Sequence, residues 1–104
     1  MNRGEIRWYQ FRKPDKRRPV LILTRDSALA YLGETTIAPI TTTIRDIPSE
    51  VVLSASDGVP EECAINLDHV QTVSRGKIGG LITRIGEPKM EKVRTALLCA
   101  LGFR

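Results

Sequence analysis

A single histidine, His69, stands in the 104 residues, so no pair of histidines can share a metal. Cys63 and Cys99 have no CxxC spacing, and two lone cysteines do not make a zinc site of the usual kind. Gly76, Gly79 and Gly80 lack the order and the lysine-serine partner of a loop that cradles phosphates. No G-x-S-x-G nucleophile elbow occurs. The expected complement is therefore no cofactor and no resident metal. Aromatic residues are scarce, at 5%, and the apolar runs last only a handful of residues, too few for a transmembrane span. The basic N-terminus is not followed by an apolar h-region, so no signal peptide is expected. Without a secretion signal, the cysteines read as reduced thiols in a cytoplasm.

What is present suits one domain, residues 1–104, with one modest core: 41% of residues are hydrophobic. The net charge of +4 hides an asymmetry. Residues 1–25 hold Arg3, Arg7, Arg12, Lys13, Lys16, Arg17, Arg18 and Arg25 against Glu5 and Asp15. Residues 46–68 hold Asp46, Glu50, Asp57, Glu61, Glu62 and Asp68 with no lysine or arginine. The basic quarter would attract a polyanion such as nucleic acid, or it is an ordinary solvated face.

Patterning predicts many short strands and one closing helix. Arg3 to Phe11 reads as a strand, with Ile6 and Trp8 on one face and Arg7 and Tyr9 on the other. Pro19 should open a strand or lie on an edge, and Val20 to Leu23 is apolar enough to be buried on both faces. Asp26-Ser27 can cap a short helix from Ala28 to Leu32, ended by Gly33. Thr35 to Thr43 is a β-branched strand, in which Pro39 argues for an edge or a bulge. Further strands are expected over Ile47–Leu53, Cys63–Leu67, Val70–Val73 and Leu81–Ile85, with a turn at Asp57-Gly58. A helix from Pro88 to Leu101 carries a stripe of Met90, Val93, Leu97 and Leu101 and stops at Gly102. The fold class is mainly β (α+β): a small, strongly curved antiparallel sheet or partial barrel with a C-terminal helix.

Candidate chemistry centres on Arg18. Its guanidinium can fork two hydrogen bonds to a phosphate, and Pro19 holds Arg18 extended. In RNA cleavage the substrate's own 2′-OH attacks phosphorus, so the protein mainly has to stabilise the charge of the phosphorane. Arg18 can equally cap a surface loop. Thr41 and Thr43 point one way along their strand and Thr42 the other, and a threonine at a strand end can donate to a phosphoryl oxygen. Threonine is also simply common in strands. His69 is either a general acid or base, or a loop histidine beside Asp68. Cys63 reads as a buried residue. Asn66, Asp68, Gln71 and Thr72 can contact bases or pack in a turn.

The segments Arg3-Gly4-Glu5-Ile6-Arg7-Trp8, Arg17-Arg18-Pro19-Val20-Leu21-Ile22-Leu23-Thr24-Arg25-Asp26 and Ile37-Ala38-Pro39-Ile40-Thr41 occur in order. Gln71-Thr72 and the closing helix follow them. Together they resemble the MazF/PemK family of bacterial toxins over nearly the whole chain. The resemblance implies a strongly twisted, barrel-like antiparallel sheet related to SH3-like and CcdB folds, working as a homodimer. It implies a metal-independent, sequence-specific endoribonuclease of a type II toxin–antitoxin system, which arrests translation and growth. Such an enzyme cuts single-stranded RNA to a 2′,3′-cyclic phosphate and a 5′-OH, and a cognate acidic antitoxin occupies its RNA groove. The family's catalytic pair falls on Arg18 and Thr41. Arg25, Cys63 and His69 stand where many members carry asparagine, serine and glutamine, differences that bear on the RNA motif more than on the chemistry. With Lys16, Arg17, Thr42, Thr43 and Gln71 they form the expected RNA-binding set. The rival readings are a CcdB-like toxin that binds DNA gyrase and a small RNA-binding module without catalysis.

Overall fold

The computed structural model describes residues 1–12 and 17–103. Seven strands form one antiparallel sheet: β1 (Glu5–Gln10), β2 (Arg17–Ile22), β3 (Glu34–Thr41), β4 (Glu50–Leu53), β5 (Cys63–Asn66), β6 (Gln71–Ser74) and β7 (Ile78–Arg84). Their order is β4-β5-β3-β2-β1-β7, with β6 also paired to β3. The sheet is open, because β4 and β7 each end the row without pairing to one another. Two helices complete the fold, α1 (Asp26–Leu29) and α2 (Glu87–Leu101).

The long strand β3 is the spine. On one edge it pairs with β2 through Ile37–Pro39. On the other edge its first half, Glu34–Ile37, pairs with β6, and its end, Ile40–Thr41, pairs with β5. The prolines fall where this arrangement tolerates them. Leu23 N donates to Thr36 O at 2.9 Å. The rungs then alternate, so Val20–Pro39 is a pair without hydrogen bonds, and the missing N–H of Pro39 faces the gap between β6 and β5. The same alternation turns the missing N–H of Pro19 toward β3 one step beyond the last rung. Pro19 therefore sits inside a central strand, opposite Trp8, and not on an edge. Pro39 likewise lies in the most central strand of all, at the point where β3 changes partners.

Alternation along the strands buries two faces. Ile6, Leu21, Ala38, Leu53 and Ile65 meet Val93 and Ala96 of α2 in the larger core. Val20, Ile22, Leu29, Ile37 and Val73 form a smaller cluster on the opposite face, flanked by Tyr9 and Phe11. The assignment of Ile6 and Tyr9 to opposite faces of β1 holds.

Several boundaries differ from expectation. Gly79 and Gly80 lie within β7, not before it; Gly79 runs close beside Trp8, where a Cβ would come within 3.2 Å of the Trp8 carbonyl oxygen. The β1–β7 register shifts at two points on this stretch, as glycine inside a strand often marks. The helix α1 ends at Leu29, leaving Leu32 exposed, and it has no side-chain cap. Asp26 Oδ1 instead accepts the backbone N–H of Arg3 at 2.6 Å, tying the N-terminus to this loop. β4 begins only at Glu50 and β3 stops at Thr41, so Thr42 and Thr43 lie beyond the strand. Pro88 does lie in the first turn of α2, and Gly102 ends it in the left-handed conformation at φ 80°. Leu101, expected in the apolar stripe, is 61% exposed. A helix of 15 residues runs ~22 Å. The four-residue strand β4 against which it packs spans only ~13 Å.

Candidate active site

β2 and β3 diverge just where the basic segment begins. Their ladder ends at Val20–Pro39, because β3 bends away to pair with β5. Extending the same register two residues puts Arg18 opposite Thr41 on the same face of the sheet. The strands have parted there, so the two side chains border a recess of about 420 Å³ instead of touching in a ladder. Thr43, Arg45, Asn66 and His69 complete its polar wall. Among the described residues no carboxylate lines it.

Each wall residue is held by a local cause. Thr41 Oγ1 accepts the backbone N–H of Thr43 at 3.1 Å, which curls the chain as it leaves β3 and brings Thr43 to the recess. Its own hydroxyl proton has no acceptor among the described residues and can be donated outward. Asn66 closes β5 and is 4% exposed. Its Oδ1 accepts the backbone N–H of Asp68 at 3.0 Å and so caps the short 3-10 turn Leu67–His69. That bond orients the amide and leaves Asn66 Nδ2 at 3.3 Å from His69 Nδ1. Ser49 Oγ donates to Asp68 Oδ2 at 2.5 Å and anchors the turn from the other side.

Thr41 also borders a second, more apolar recess of about 210 Å³, formed by Trp8, Pro19, Ile40, Thr42 and Cys63 among others. The Arg17 guanidinium lies over the Trp8 ring, 4.4 Å from its centroid. Cys63 is only 6% exposed. Burial, and then the charges of Glu61, Asp57 and Glu62, push its thiol above the ordinary value. It is a neutral packing group and not a nucleophile.

The expected site residues thus divide. Arg18, Thr41, Thr43 and His69 come together around the polar recess, and Arg17, Thr42 and Cys63 flank the apolar one. Gln71 opens β6 and donates from Nε2 to the His69 carbonyl at 3.2 Å, so it supports the turn from outside the recess. Arg25 is not brought to the site. It precedes α1 at the opposite end of β2 from Arg18, ~20 Å away along an extended chain. Lys16 lies outside the described residues. Sequence reasoning left out of the site Trp8, which it placed on the same strand face as Ile6, and Arg45, for which no local signal exists. Asn66 was visible as a candidate but not its role. Among the described residues no group of three or more His, Cys, Asp and Glu side chains gathers where an ion could be held.

The comparisons with known proteins agree with this fold. Residues 2–101 match the model of the PemK-like, MazF-like toxins of type II toxin–antitoxin systems. The chain is 41% identical over 100 residues to the probable endoribonuclease MazF5 of Mycobacterium tuberculosis, covering 95% of this chain and 91% of that protein. Among solved structures, the M. tuberculosis toxin MazF-mt6 superposes with a TM-score of 0.88 at 32% identity, covering 96% of this chain and 98% of that one. An endoribonuclease from a mycobacterial species, solved in complex with its cognate antitoxin, superposes equally well, with a TM-score of 0.88 at 25% identity over 100% of this chain and 97% of that one. The bent seven-stranded sheet, its closing helix and these matches lead to one assignment: the chain belongs to the PemK-like, MazF-like toxin family of type II toxin–antitoxin systems.

Proposed function

We propose that this chain is the toxin of a type II toxin–antitoxin pair and an endoribonuclease that cuts single-stranded RNA at Arg18 and Thr41. The observation that carries the reading is the notch between β2 and β3, where Arg18 and Thr41 line one recess together with further polar side chains. The substrate's 2′-oxygen attacks the adjacent phosphorus and the bond to the 5′-oxygen breaks, giving a 2′,3′-cyclic phosphate and a 5′-OH. One proton leaves the 2′-OH and one reaches the 5′-oxygen. Arg18, always charged, neutralises the growing negative charge on the phosphoryl oxygens, and the Thr41 hydroxyl donates to one of them. The base flanking the cut packs against the apolar recess beside Trp8.

The 104 residues act as one toxin domain, working as a homodimer in the cytoplasm. The antitoxin is a second partner. A relative of this fold is known in complex with its cognate antitoxin, and the basic first quarter of this chain favours an acidic, disordered segment that orders on binding.

The test is a long single-stranded RNA incubated with the protein and EDTA, followed by mapping of the ends. The expected result is cuts at one short motif, with cyclic phosphate on the upstream fragment. Arg18→Ala should keep the circular dichroism of the wild type and lose ~10²–10³ in rate. An undiminished rate in folded Arg18→Ala would refute the mechanism. Binding without cuts would return the chain to a non-catalytic RNA module, and no interaction with RNA would favour a gyrase-binding toxin.

A further inference from the structure

Arg45 belongs to no strand and to none of the expected roles, yet it lines the same recess as Arg18. Its placement is held from behind. Glu50, the first residue of β4, pairs with Asn66 across the β4–β5 ladder. The Glu50 side chain is 1% exposed. Its Oε1 accepts the backbone N–H of Arg45 at 3.0 Å, and its Oε2 lies 3.4 Å from Arg45 Nε. Among the described residues Oε2 has no hydrogen-bond partner, and the Arg45 guanidinium is the cation it faces. A buried carboxylate is costly unless a cation answers it. Glu50 therefore grips Arg45 at both the backbone and the Nε. The Nη groups make no bond among the described residues, and the side chain remains 51% exposed at the recess. A surface arginine that merely solvates a loop needs no buried carboxylate to aim it.

We infer that Arg45 is a second phosphate-binding residue, holding the RNA phosphate next to the scissile one that Arg18 and Thr41 contact. The inference rests on the endoribonuclease reading. Arg45 contributes binding and register, and Arg18 contributes charge stabilisation at the reacting phosphorus, so the two should separate in kinetics and in salt dependence.

The experiment measures equilibrium binding of a single-stranded RNA blocked by 2′-O-methyl groups, as a function of salt, alongside steady-state cleavage of the unmodified RNA. Removing one phosphate contact from a single strand lowers the slope of log K against log salt by about 0.7. Arg45→Ala is expected to show that drop, with KM raised roughly tenfold and kcat nearly unchanged. Arg45→Lys should restore the slope, since it restores one cation. If Arg45→Ala does not fold, Arg45→Gln keeps the stem and an N–H toward Glu50, and its slope must fall by the same amount. A slope and KM equal to wild type in folded Arg45→Ala or Arg45→Gln overturns the inference and leaves the cleavage reading standing. Wild-type protein that neither binds nor cuts RNA overturns both.

Discussion

The Oδ1 of Asn66 accepts from the backbone of Asp68, so the atom facing His69 Nδ1 is the amide nitrogen, which can only donate. Nδ1 must then be the acceptor, and the imidazole proton sits on Nε2. In that tautomer His69 offers Nε2–H as a donor at the recess. The nitrogen shifts of the uncharged His69 ring in a labelled sample should report the Nε2–H tautomer; an Nδ1–H signature would sink the assignment. Cleavage follows from the same state. His69→Gln keeps a side-chain N–H and should stay within a few-fold of wild type, whereas His69→Ala loses one neutral hydrogen bond, ~2–10-fold in rate. None of this was legible in the residue string. His69 beside Asp68 invites a histidine–aspartate pairing, and the structure instead gives Asp68 to Ser49 and His69 to Asn66.

At the scale of elements, turns decide where side chains arrive. The 3-10 turn Ala55–Asp57 hands the chain to Gly58 at φ 89°, a left-handed conformation. A Cβ at Gly58 would also run into the Thr83 hydroxyl on β7. That hydroxyl donates to the Asp57 carbonyl at 3.3 Å and pins the loop. Gly58→Ala should therefore destabilise the protein by ~1–3 kcal/mol, read from the shift of the urea midpoint at constant slope. An unchanged midpoint would mean that the loop relaxes freely. The dipeptide Asp57-Gly58 announced this turn in advance, since only glycine meets the φ without strain. The prolines announced less. Pro19 and Pro39 looked like marks of edge strands, because a proline removes one ladder bond. Both are central, and each escapes by facing the place where a ladder stops.

For the whole molecule, two buried titratable groups set opposite limits on pH. Burial alone would raise the Glu5 carboxyl. The 2.7 Å bond from Arg7 Nε, a backbone bond and the charges of Arg7 and the N-terminus outweigh it, and the group is held below the ordinary range. Arg7 Nη1 also reaches the Gly79 carbonyl at 3.1 Å, so the same pair links β1 to β7. A depressed carboxyl contributes stability that is present above the unfolded value of about 4.3 and is lost as pH falls through the lower folded value. Cys63 has the opposite sign. Its raised thiol contributes fully below the unfolded value of about 8.5 and loses that contribution as pH rises through the folded one. Urea titrations across pH should show Glu5→Gln with a flatter acid limb and Cys63→Ala with a flatter alkaline limb than wild type. Limbs that superpose on those of wild type would remove these groups as the cause.

The sequence by itself determined the local pieces: strands from β-branched and alternating residues, Pro88 and Gly102 bounding the last helix, and a basic quarter with an extended arginine at Arg18-Pro19. It pointed to the pair Arg18 and Thr41 only by way of resemblance, because the residues are 23 positions apart and no periodicity relates them. Tertiary structure decided their meeting. Antiparallel pairing of β2 with β3 brings the two positions opposite each other just beyond the last rung, and the partner change of β3 at Pro39 opens the notch between them. It also decided that Arg25 falls away from the site and Arg45 enters it. A buried carboxylate on β4 needs a counter-charge, and only the folded sheet puts Glu50 behind that particular guanidinium.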